Sequence, residues 1–501
     1  MNSNSTNTLR KNTISALFYQ LVTIVCAFIL PRLILKGYGS DVNGLINSIS
    51  KFLIAISFVD FGIGAVVQSS LYKPLADNDL ILVSKIVASG ERYFKKMLVA
   101  IISYIVLICG LFILLFDKNY SIDYLIELVV VISIMSLSQY YFGVIDRALL
   151  NAAQMGYYQY IIHTLLLMIS TFVSVILILN NYSIQVVKAT TAMAFVIKPL
   201  LLRLIVNKKY RINRKIKYNG EPIKQKWNGV FQHIAAIIND QADVAILTIF
   251  ATVKDVSVYS VYNMVAFGIK QVLFSTVNGI QALMGDLLAR KEKKQIQCLF
   301  DKFECCAHLL TTAIYGCTAD LILPFVLIYT NGITDTNYNN YPFAILITLA
   351  NASHCLRLPY NVMILSAGHY KQTQINYIVA TLLNILISII MVERFGLVGV
   401  AIGTVVAMVY QTIWMAIYVY ERILQRPLFL FIKQILVDLL IVSLGEIISF
   451  YIRHEKYSIA GFGLLLVLGI IKWGLLSITC GLIFYKNTLS SLVKKKQKIC
   501  N

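Results

Sequence analysis

The chain has 501 residues, of which 58% are hydrophobic and 14% are charged, and its mean hydropathy is +0.73. A soluble protein this apolar would have to bury more side chains than one core can hold. Apolar runs of about 20 residues, the length that crosses about 30 Å of hydrocarbon, recur along the whole sequence. These features exclude a soluble globular protein and predict an all-α, polytopic membrane protein.

Hydropathy and helix breakers predict about fourteen membrane-spanning helices. Amphipathic segments around 79–95 and 291–303 are expected to extend helices three and nine. The polar start MNSNSTNTLRKN leads directly into the first span without a small-residue cleavage site, so no removable signal peptide is expected. The predicted spans are 12–34, 43–70, 95–116, 123–146, 157–180, 183–206, 229–251, 256–286, 303–329, 340–366, 371–393, 397–420, 429–451 and 460–485.

Lysine and arginine are distributed unevenly about these spans. With the predicted topology, 29 of the 44 Lys and Arg residues lie on the side that holds both termini and only 7 on the other. Cytoplasmic loops carry this excess in membrane proteins, so both termini are predicted to be cytoplasmic. The net charge of +20 follows mainly from this bias and indicates contact with anionic lipid head groups rather than nucleic acid.

The two halves of the chain resemble each other at a constant offset in residue number. The offset that matches Asp41 and Val42 to Asp255 and Val256 also matches Ser174 to Ser388, and we call it the repeat offset. Six helices separate the repeat starts, so both halves have the same topology, and a central binding site is expected between them. The sequence predicts an N-lobe at 1–206 and a C-lobe at 229–422, joined by a basic cytoplasmic linker at 207–228. An extra helix pair with a basic tail is predicted at 423–501.

Charged residues within the second predicted helix are the first candidates for a functional site. Lys51 shares a small, polar face with Gly44 and Asn47, whereas Asp60 lies on the opposite face and is assigned to structure. A charge at bilayer depth needs a partner or a water-filled cavity. Lys51 is therefore expected to face a central cavity, with pairing to an acid or snorkelling to the interface as the alternatives.

Helices eight and ten repeat this pattern in the second half. Lys270 shares a face with Tyr259, Asn263 and Gln281, and Arg357 lies two residues before Pro359. Two lysines that approach one cavity suit a diphosphate, and arginine binds phosphate through two parallel hydrogen bonds. The alternative for Arg357 is a packing kink at which the side chain bonds to carbonyl groups.

Acidic residues on helix seven and on the last helix pair complete the set of intramembrane charges. Asp240 and Asp243 are candidates for binding a coupling H⁺ or Na⁺, or for neutralising Lys270. Asp438, Glu446 and Lys472 are expected to hold the last two helices together.

The nine cysteines form no CxxC or Cys/His spacing, so neither a disulfide nor a metal site is expected, and no other cofactor is predicted. Gly396, Gly399 and Gly403 are read as close-packing residues within the membrane, and not as a phosphate loop.

Several segments resemble one family of transporters. The stretches LINSISKFLIAISFVDFGIGAVV and VSVYSVYNMVAFGIKQVLFSTVNG are similar to the early helices of the two halves of polysaccharide transporters. RLPYNVMILSAGHYKQTQ resembles their later helices. This family belongs to the multidrug/oligosaccharidyl-lipid/polysaccharide exporter (MOP) superfamily, and the resemblance runs from about residue 10 to residue 425.

The resemblance implies two six-helix lobes around a cationic central cavity. It implies a non-enzymatic flippase of the bacterial cytoplasmic membrane that moves undecaprenyl-diphosphate-linked oligosaccharide outward by alternating access, for O-antigen, capsule or exopolysaccharide. Partners would be this lipid-linked glycan, membrane lipids, and a polysaccharide polymerase with its assembly proteins. The predicted substrate-binding residues are Lys51, Lys270, Arg357, Asn47 and Asn263, with Asp240 and Asp243 for ion coupling.

Three other functions remain open at this stage. A peptidoglycan-precursor flippase shares the fold and the extra helix pair. A cation-coupled small-molecule antiporter shares the fold, but is expected to have a cavity dominated by acids. A membrane enzyme that polymerises or ligates the glycan is expected to have a long outer loop, and the predicted outer loops are short.

Overall fold

The computed structural model describes residues 3–54, 56–57, 63–140, 143–217, 230–275, 278–290, 292–452 and 459–493, and regular structure within them is helical, without strands. The helices are α1 (Ser3–Ile54), α2 (Ile63–Ala76), α3 (Leu80–Phe116), α4 (Ile122–Tyr140), α5 (Val144–Ala152), α6 (Tyr157–Leu179), α7 (Ile184–Lys209), α8 (Val230–Phe250), α9 (Val253–Ser275), α10 (Asn278–Ala289), α11 (Lys293–Tyr329), α12 (Tyr341–Leu356), α13 (Leu358–Ser366), α14 (Tyr370–Phe395), α15 (Leu397–Tyr418), α16 (Phe429–Ile452), α17 (Ile459–Phe484) and α18 (Lys486–Val493).

Many of these helices suit a membrane, as predicted. Eight of the described helices are long and apolar enough to cross one. Side chains such as Leu114 (81% exposed) and Ile375 (70% exposed) project from the molecule, which is the arrangement that lipid stabilises. Helices α3 and α11 each have 37 residues, so the two predicted extensions are confirmed. The protein is a multi-pass membrane protein.

The internal repeat is confirmed by the positions of the helices. The starts of α2, α3, α5, α6 and α7 correspond at the repeat offset, to within one residue, to the starts of α10, α11, α13, α14 and α15. We call α1–α7 the first repeat and α8–α15 the second repeat. The chain divides into two compact units, Met1–Ala245 and Ile246–Asn501, and the finer boundaries expected from the sequence stay predictions.

Several predicted spans are not continuous helices. In the first repeat, the predicted span 43–70 includes the end of α1 at Ile54 and the start of α2 at Ile63, and Asp60 lies outside the described residues. In the second repeat, the predicted span 256–286 covers α9 and α10, and the two residues between these helices lie outside the described residues.

The fourth predicted span of each half, 123–146 or 340–366, is also divided into two helices. The residues at each junction explain the division. Gly143 precedes α5 with a φ of 78°, a left-handed conformation that favours glycine. Arg357 separates α12 from α13, and Pro359 lies in the first turn of α13, where its missing N–H does no harm. Non-helical backbone at membrane depth is tolerated where it is buried in protein or lines water, so these junctions are candidates for a functional site.

The last helix pair is attached to the second repeat by polar contacts with α11. Lys472 on α17 lies 2.6 Å from the carboxylate of Asp320, and Asp438 on α16 lies 2.6 Å from Nδ1 of His308. The expectation that these residues hold the last two helices together is confirmed for Lys472, which also donates to Gly445 O of α16 at 3.2 Å and to Ser449 Oγ of the same helix, whereas Asp438 bonds to His308 and Thr312 of α11. Their charged partners lie on α11 because that helix packs against both α16 and α17.

Two smaller expectations have different outcomes. Two of the three glycines of the α14–α15 hairpin are close-packing residues, as expected: a Cβ on Gly403 would lie 2.9 Å from Asn384 O, and one on Gly399 would meet the backbone of Met391. The expectation is wrong for Gly396, where nothing lies within 4 Å of a Cβ and the φ of 52° is the feature that favours glycine. The expectation of no disulfide is wrong at Cys298 on α11, which is disulfide-bonded. Pairing of cysteines depends on proximity in the fold, which their spacing in the sequence does not give.

Candidate functional site

A cluster of basic side chains lies at the helix junctions of the second repeat. Its members are Lys270 near the end of α9, His354 in the last turn of α12, and Arg357 at the α12–α13 junction. Lys270 is 9% exposed and Arg357 is 6% exposed. We call these three residues the C-lobe cation cluster. The sequence predicted Lys270 and Arg357, and the structure brings both of them to His354.

Short contacts define the geometry of this cluster. Arg357 Nη2 lies 2.8 Å from His354 Nε2, which therefore accepts the hydrogen bond of the guanidinium. Lys270 Nζ lies 4.7 Å from the centre of the Phe267 ring, a cation–π distance. Both cations act electrostatically on His354 and on the neighbouring Cys355, so the two charges share one environment.

Lys270 is the member of the C-lobe cation cluster that lacks a negative partner among the described residues. In this part of the chain, Lys270 forms no salt bridge with any carboxylate. Like charges in a low-dielectric environment repel each other strongly, and each buried charge also loses its hydration. An anionic ligand would offset both effects. The arrangement is therefore suited to binding phosphate or another anion.

An apolar groove is lined in part by α9, the helix that carries Lys270. It has a volume of about 370 Å³, and it lies between α9, α11 and α17. Ile269, the neighbour of Lys270, forms part of its wall, and Phe325 and Trp473 form other parts. The groove is built almost entirely from apolar side chains, so it is suited to a hydrocarbon chain rather than to a sugar.

The other predicted substrate-binding residues are spread over both compact units. Asn263 is half-buried on α9, two helical turns before Lys270. Lys51 and Asn47 lie at the end of α1, in the N-terminal unit, and both are half-buried. Asn47 Nδ2 donates to Asn43 O at 2.8 Å, a bond within its own helix. The role of Lys51 and Asn47 in substrate binding stays a prediction.

The two acidic residues proposed for ion coupling differ in their surroundings. Asp243 is 6% exposed, whereas Asp240, earlier on α8, is exposed. A buried carboxylate inside a membrane helix is the better candidate for binding a cation or proton, because exposure to solvent weakens electrostatic interactions. Ion coupling by either residue stays a prediction.

Each repeat ends with an arginine that the sequence did not single out. Arg214, after α7, contacts Glu91 on α3 and lies 2.6 Å from Asp146 on α5. Burial lowers the pKa of Arg214, but Asp146 and Glu91 outweigh it, so that the pKa is raised and the charge is kept. Because Asp146 lies just after Gly143, Arg214 holds the helix junction of the first repeat in place.

Arg426 has the same place in the second repeat. It follows α15, contacts Asp301, and lies 2.6 Å from Glu304 on α11. It also covers the ring of Tyr420 at 4.0 Å. Only tertiary structure identifies these pairs, since the partners lie on helices that are far apart in the sequence.

Solved structures identify the fold. The lipid II flippase MurJ in an inward closed conformation superimposes with a TM-score of 0.71 over 95% of this chain and 99% of that chain, at 15% identity. The chain has the fold of MurJ and the MATE transporters. An inward-facing multidrug resistance MATE transporter of the MOP superfamily matches with a TM-score of 0.57 over 79% of this chain and 95% of that chain, at 12% identity.

A eukaryotic MATE transporter matches with a TM-score of 0.51 over 82% of this chain and 95% of that chain, at 12% identity. No protein-family model matches the sequence, and neither does any curated protein. The predicted all-α transporter architecture is confirmed at the level of the fold. The polysaccharide-transporter subfamily stays a prediction.

Proposed function

We propose that the protein is a flippase that moves undecaprenyl-diphosphate-linked oligosaccharide units across the bacterial cytoplasmic membrane by alternating access, with both termini in the cytoplasm. The observation that carries the proposal is the C-lobe cation cluster, whose Lys270 has no carboxylate partner among the described residues. A diphosphate supplies the missing negative charge. The protein acts as a transporter and not as an enzyme, and the transported glycans serve surface polysaccharide synthesis.

The apolar groove supports a substrate with a lipid tail. Its wall includes Ile269, beside Lys270, and it extends along α11 to Trp473 of the last helix pair. A diphosphate bound at Lys270 and Arg357 can therefore leave its polyprenyl chain in this groove. A small-molecule antiporter has no use for such a combination of cations and apolar surface.

The last helix pair supports a flippase over a multidrug transporter. The MurJ match covers 95% of the chain, and the remainder is too short to contain both α16 and α17. The MATE match covers 79% of the chain, which leaves enough outside it for the whole pair. Since the groove uses α17, the part of the fold shared with MurJ includes a wall of the proposed lipid site.

Two alternatives are specific enough to test. MurJ is named as a lipid II flippase, so the peptidoglycan precursor is the second candidate substrate. Exchange of small cations is the third candidate function, since MATE transporters share the fold. Undecaprenyl-diphosphate oligosaccharide is preferred because the sequence resembles the polysaccharide transporters, for which a polymerase and its assembly proteins are the expected partners.

The test is leaflet-resolved flipping in proteoliposomes. Wild type is compared with Lys270→Ala, Arg357→Ala and Lys51→Ala, and Lys254→Ala on the same helix α9 is the matched control. We expect Lys270→Ala and Arg357→Ala each to lower flipping at least tenfold, because each removes charge-assisted contacts worth about 1.5–3 kcal/mol. Lys254→Ala should flip at the wild-type rate, because Lys254 lies at the opposite end of α9 and donates to Asp335 O at 3.1 Å.

Different substrates separate the alternatives in the same assay. Flipping of lipid II but not of the oligosaccharide would assign the protein to peptidoglycan synthesis. Exchange of organic cations with no lipid flipping would overturn the proposal. A H⁺ or Na⁺ gradient tests coupling: Asp243→Asn should abolish stimulation by the gradient, whereas Asp240→Asn should reduce it less, and equal stimulation in both variants would remove these carboxylates from the mechanism.

A further inference from the structure

A second group of basic side chains lies in the first repeat, at the junction of α4 and α5. Its members are Arg147 on α5, His163 on α6 and Lys198 on α7, all half-buried. Lys198 Nζ donates to His163 Nδ1 at 3.1 Å. The imidazole is held by Tyr19, which stacks on it at 4.8 Å, and by the edge of Phe195 at 5.6 Å. We call these three residues the N-lobe cation cluster.

Two members of this cluster, Arg147 and Lys198, line a small pocket whose described walls include no acidic residue. Arg147, Lys198 and Ser138 line the pocket, and the charge of Arg147 acts on both Lys198 and His163. Among the described residues, neither Arg147 nor Lys198 forms an ion pair with a carboxylate. Asp146, the acid next to Arg147 in the chain, is paired with Arg214, which also contacts Glu91 on α3.

The second repeat shows that the fold does not require these charges. At the repeat offset, Arg147, His163 and Lys198 correspond to Asn361, Tyr377 and Thr412. There Tyr377 Oη donates to Asn361 Oδ1 at 2.8 Å, and Thr412 Oγ1 donates to Ser353 O at 2.8 Å. The equivalent place in the second repeat is therefore neutral, and its hydrogen bonds are satisfied within the protein.

We propose that the N-lobe cation cluster is a binding site for a phosphate-bearing anion, held by Arg147 and Lys198, with His163 orienting the lysine. Two like charges placed together within a membrane protein, where the repeat offers a neutral and satisfied alternative, are explained by a ligand that neutralises them. Arginine and lysine are the side chains that bind phosphate groups. The residues of this site all belong to the N-terminal unit, whereas the C-lobe cation cluster belongs to the C-terminal unit.

The phosphate has two possible sources in a membrane: the head group of an anionic phospholipid, or the diphosphate of a polyprenyl lipid. Anionic lipids are attracted to basic residues near the membrane surface. Separate binding measurements with phosphatidylglycerol and with undecaprenyl diphosphate distinguish these sources, and zwitterionic phosphatidylcholine serves as the reference lipid.

The experiment measures binding to the purified full-length protein by native mass spectrometry, together with thermal unfolding with and without each lipid. The variants Arg147→Asn and Lys198→Thr introduce the residues of the second repeat. Lys208→Thr, at an exposed position of the same helix α7, is the matched control. Binding is expected to weaken roughly tenfold to a hundredfold in both cluster variants, since a hydrogen bond to a charged group contributes about 1.5–3 kcal/mol.

The unfolding midpoint measured without lipid distinguishes a cluster that binds a ligand from one that only serves packing. If the cluster awaits a ligand, Lys198→Thr relieves repulsion, so the unfolding midpoint stays at or above that of wild type while the increase caused by the lipid disappears. A lowered midpoint with unchanged affinity for both lipids would show that the lysine and histidine serve packing, and would overturn the proposal. These readouts require no transport activity, so they stand whether or not the protein flips oligosaccharide.

Discussion

The two repeats share their helix geometry and differ in where they carry charge. Gly143 in the first repeat corresponds to Arg357 in the second at the repeat offset, and both lie at the junction that divides the fourth helix. The first repeat has a neutral junction with cations on the flanking helices, whereas the second has a cation in the junction itself. Geometry is thus common to both repeats, and charge is specific to each.

The ion pairs that both repeats share stabilise the fold, whereas the cations found in only one repeat are candidates for binding ligands. Arg214 and Arg426 both follow the last helix of their repeat, and both bind a glutamate of the third helix, Glu91 or Glu304. By contrast, Lys270 corresponds to Ile56, and Lys198 corresponds to Thr412. A structural role in the repeat predicts a counterpart within one or two residues of the repeat offset, as Arg214 and Arg426 show, so a cation without one is a better candidate for function.

The largest expected loss of stability comes from replacing the arginine that follows the last helix of each repeat, Arg214 or Arg426. Arg426→Ala leaves Glu304, whose side chain is 3% exposed, without its positive partner. Breaking a buried ion pair in this way costs about 3–5 kcal/mol. Arg214→Ala should cost somewhat less, because Arg426 also packs on the rings of Tyr420 and Phe300. Thermal unfolding in detergent measures both losses.

The control for this comparison is Arg422→Ala, which removes an exposed arginine from the segment just before Arg426. Its unfolding midpoint should equal that of wild type. If Arg426→Ala and Arg214→Ala unfolded at the same temperature as this control, the two arginines would have no shared structural role.

The junction residues give the next largest effect. Gly143→Ala places a side chain at a φ of 78°, and its Cβ would lie 2.8 Å from the Cβ of Pro199. The backbone strain alone costs about 1–3 kcal/mol. Arg357→Ala has no such strain, because the φ of Arg357 is −69°. We expect Gly143→Ala mainly to lower the unfolding midpoint and Arg357→Ala to lower flipping far more than it lowers the midpoint.

Gly110→Ala is the matched control, since nothing lies within 4 Å of a Cβ at that position of α3. It should leave the midpoint unchanged or raise it, because alanine is favoured over glycine in helices by about 1 kcal/mol. A Gly143→Ala protein as stable as Gly110→Ala would show that the junction adapts to a side chain.

The sequence was sufficient for the features that depend on local periodicity and composition. The extensions of α3 and α11 and the repeat offset are read from hydropathy and matching residues, and the structure confirms them. The place of Lys270 among buried residues follows from the helical face that it shares with Asn263. His354 carried a weak signal, since it lies one helical turn before Arg357 and therefore on the same side of the chain.

Features that depend on distant contacts were not predictable. The ion pairs of Arg214 and Arg426 join residues that only the fold brings together, and in the sequence both arginines resemble other basic loop residues. The charged partners of Asp438 and Lys472 lie on α11, which packs against both helices of the last pair, and the sequence does not indicate that packing.

The smallest expected changes in flipping come from replacing two asparagines, Asn47 in the first repeat and Asn263 in the second. Asn47 already donates to Asn43 O in its own helix, so binding a ligand would require breaking that bond. Asn263 has no hydrogen-bond partner within the described part of the chain, so it is available to a ligand. A neutral hydrogen bond contributes about 0.5–1.5 kcal/mol, which corresponds to a change of several-fold in affinity.

Flipping should therefore decrease several-fold in Asn263→Ala and less in Asn47→Ala, with unfolding midpoints close to wild type in both. Proteoliposome flipping at limiting substrate measures the difference. The reverse order would mean that Asn47 and its neighbour Lys51 contribute more to substrate binding than the residues around Lys270. The polar face of α1, rather than the helix junctions of the second repeat, would then be the main place at which the substrate is recognised.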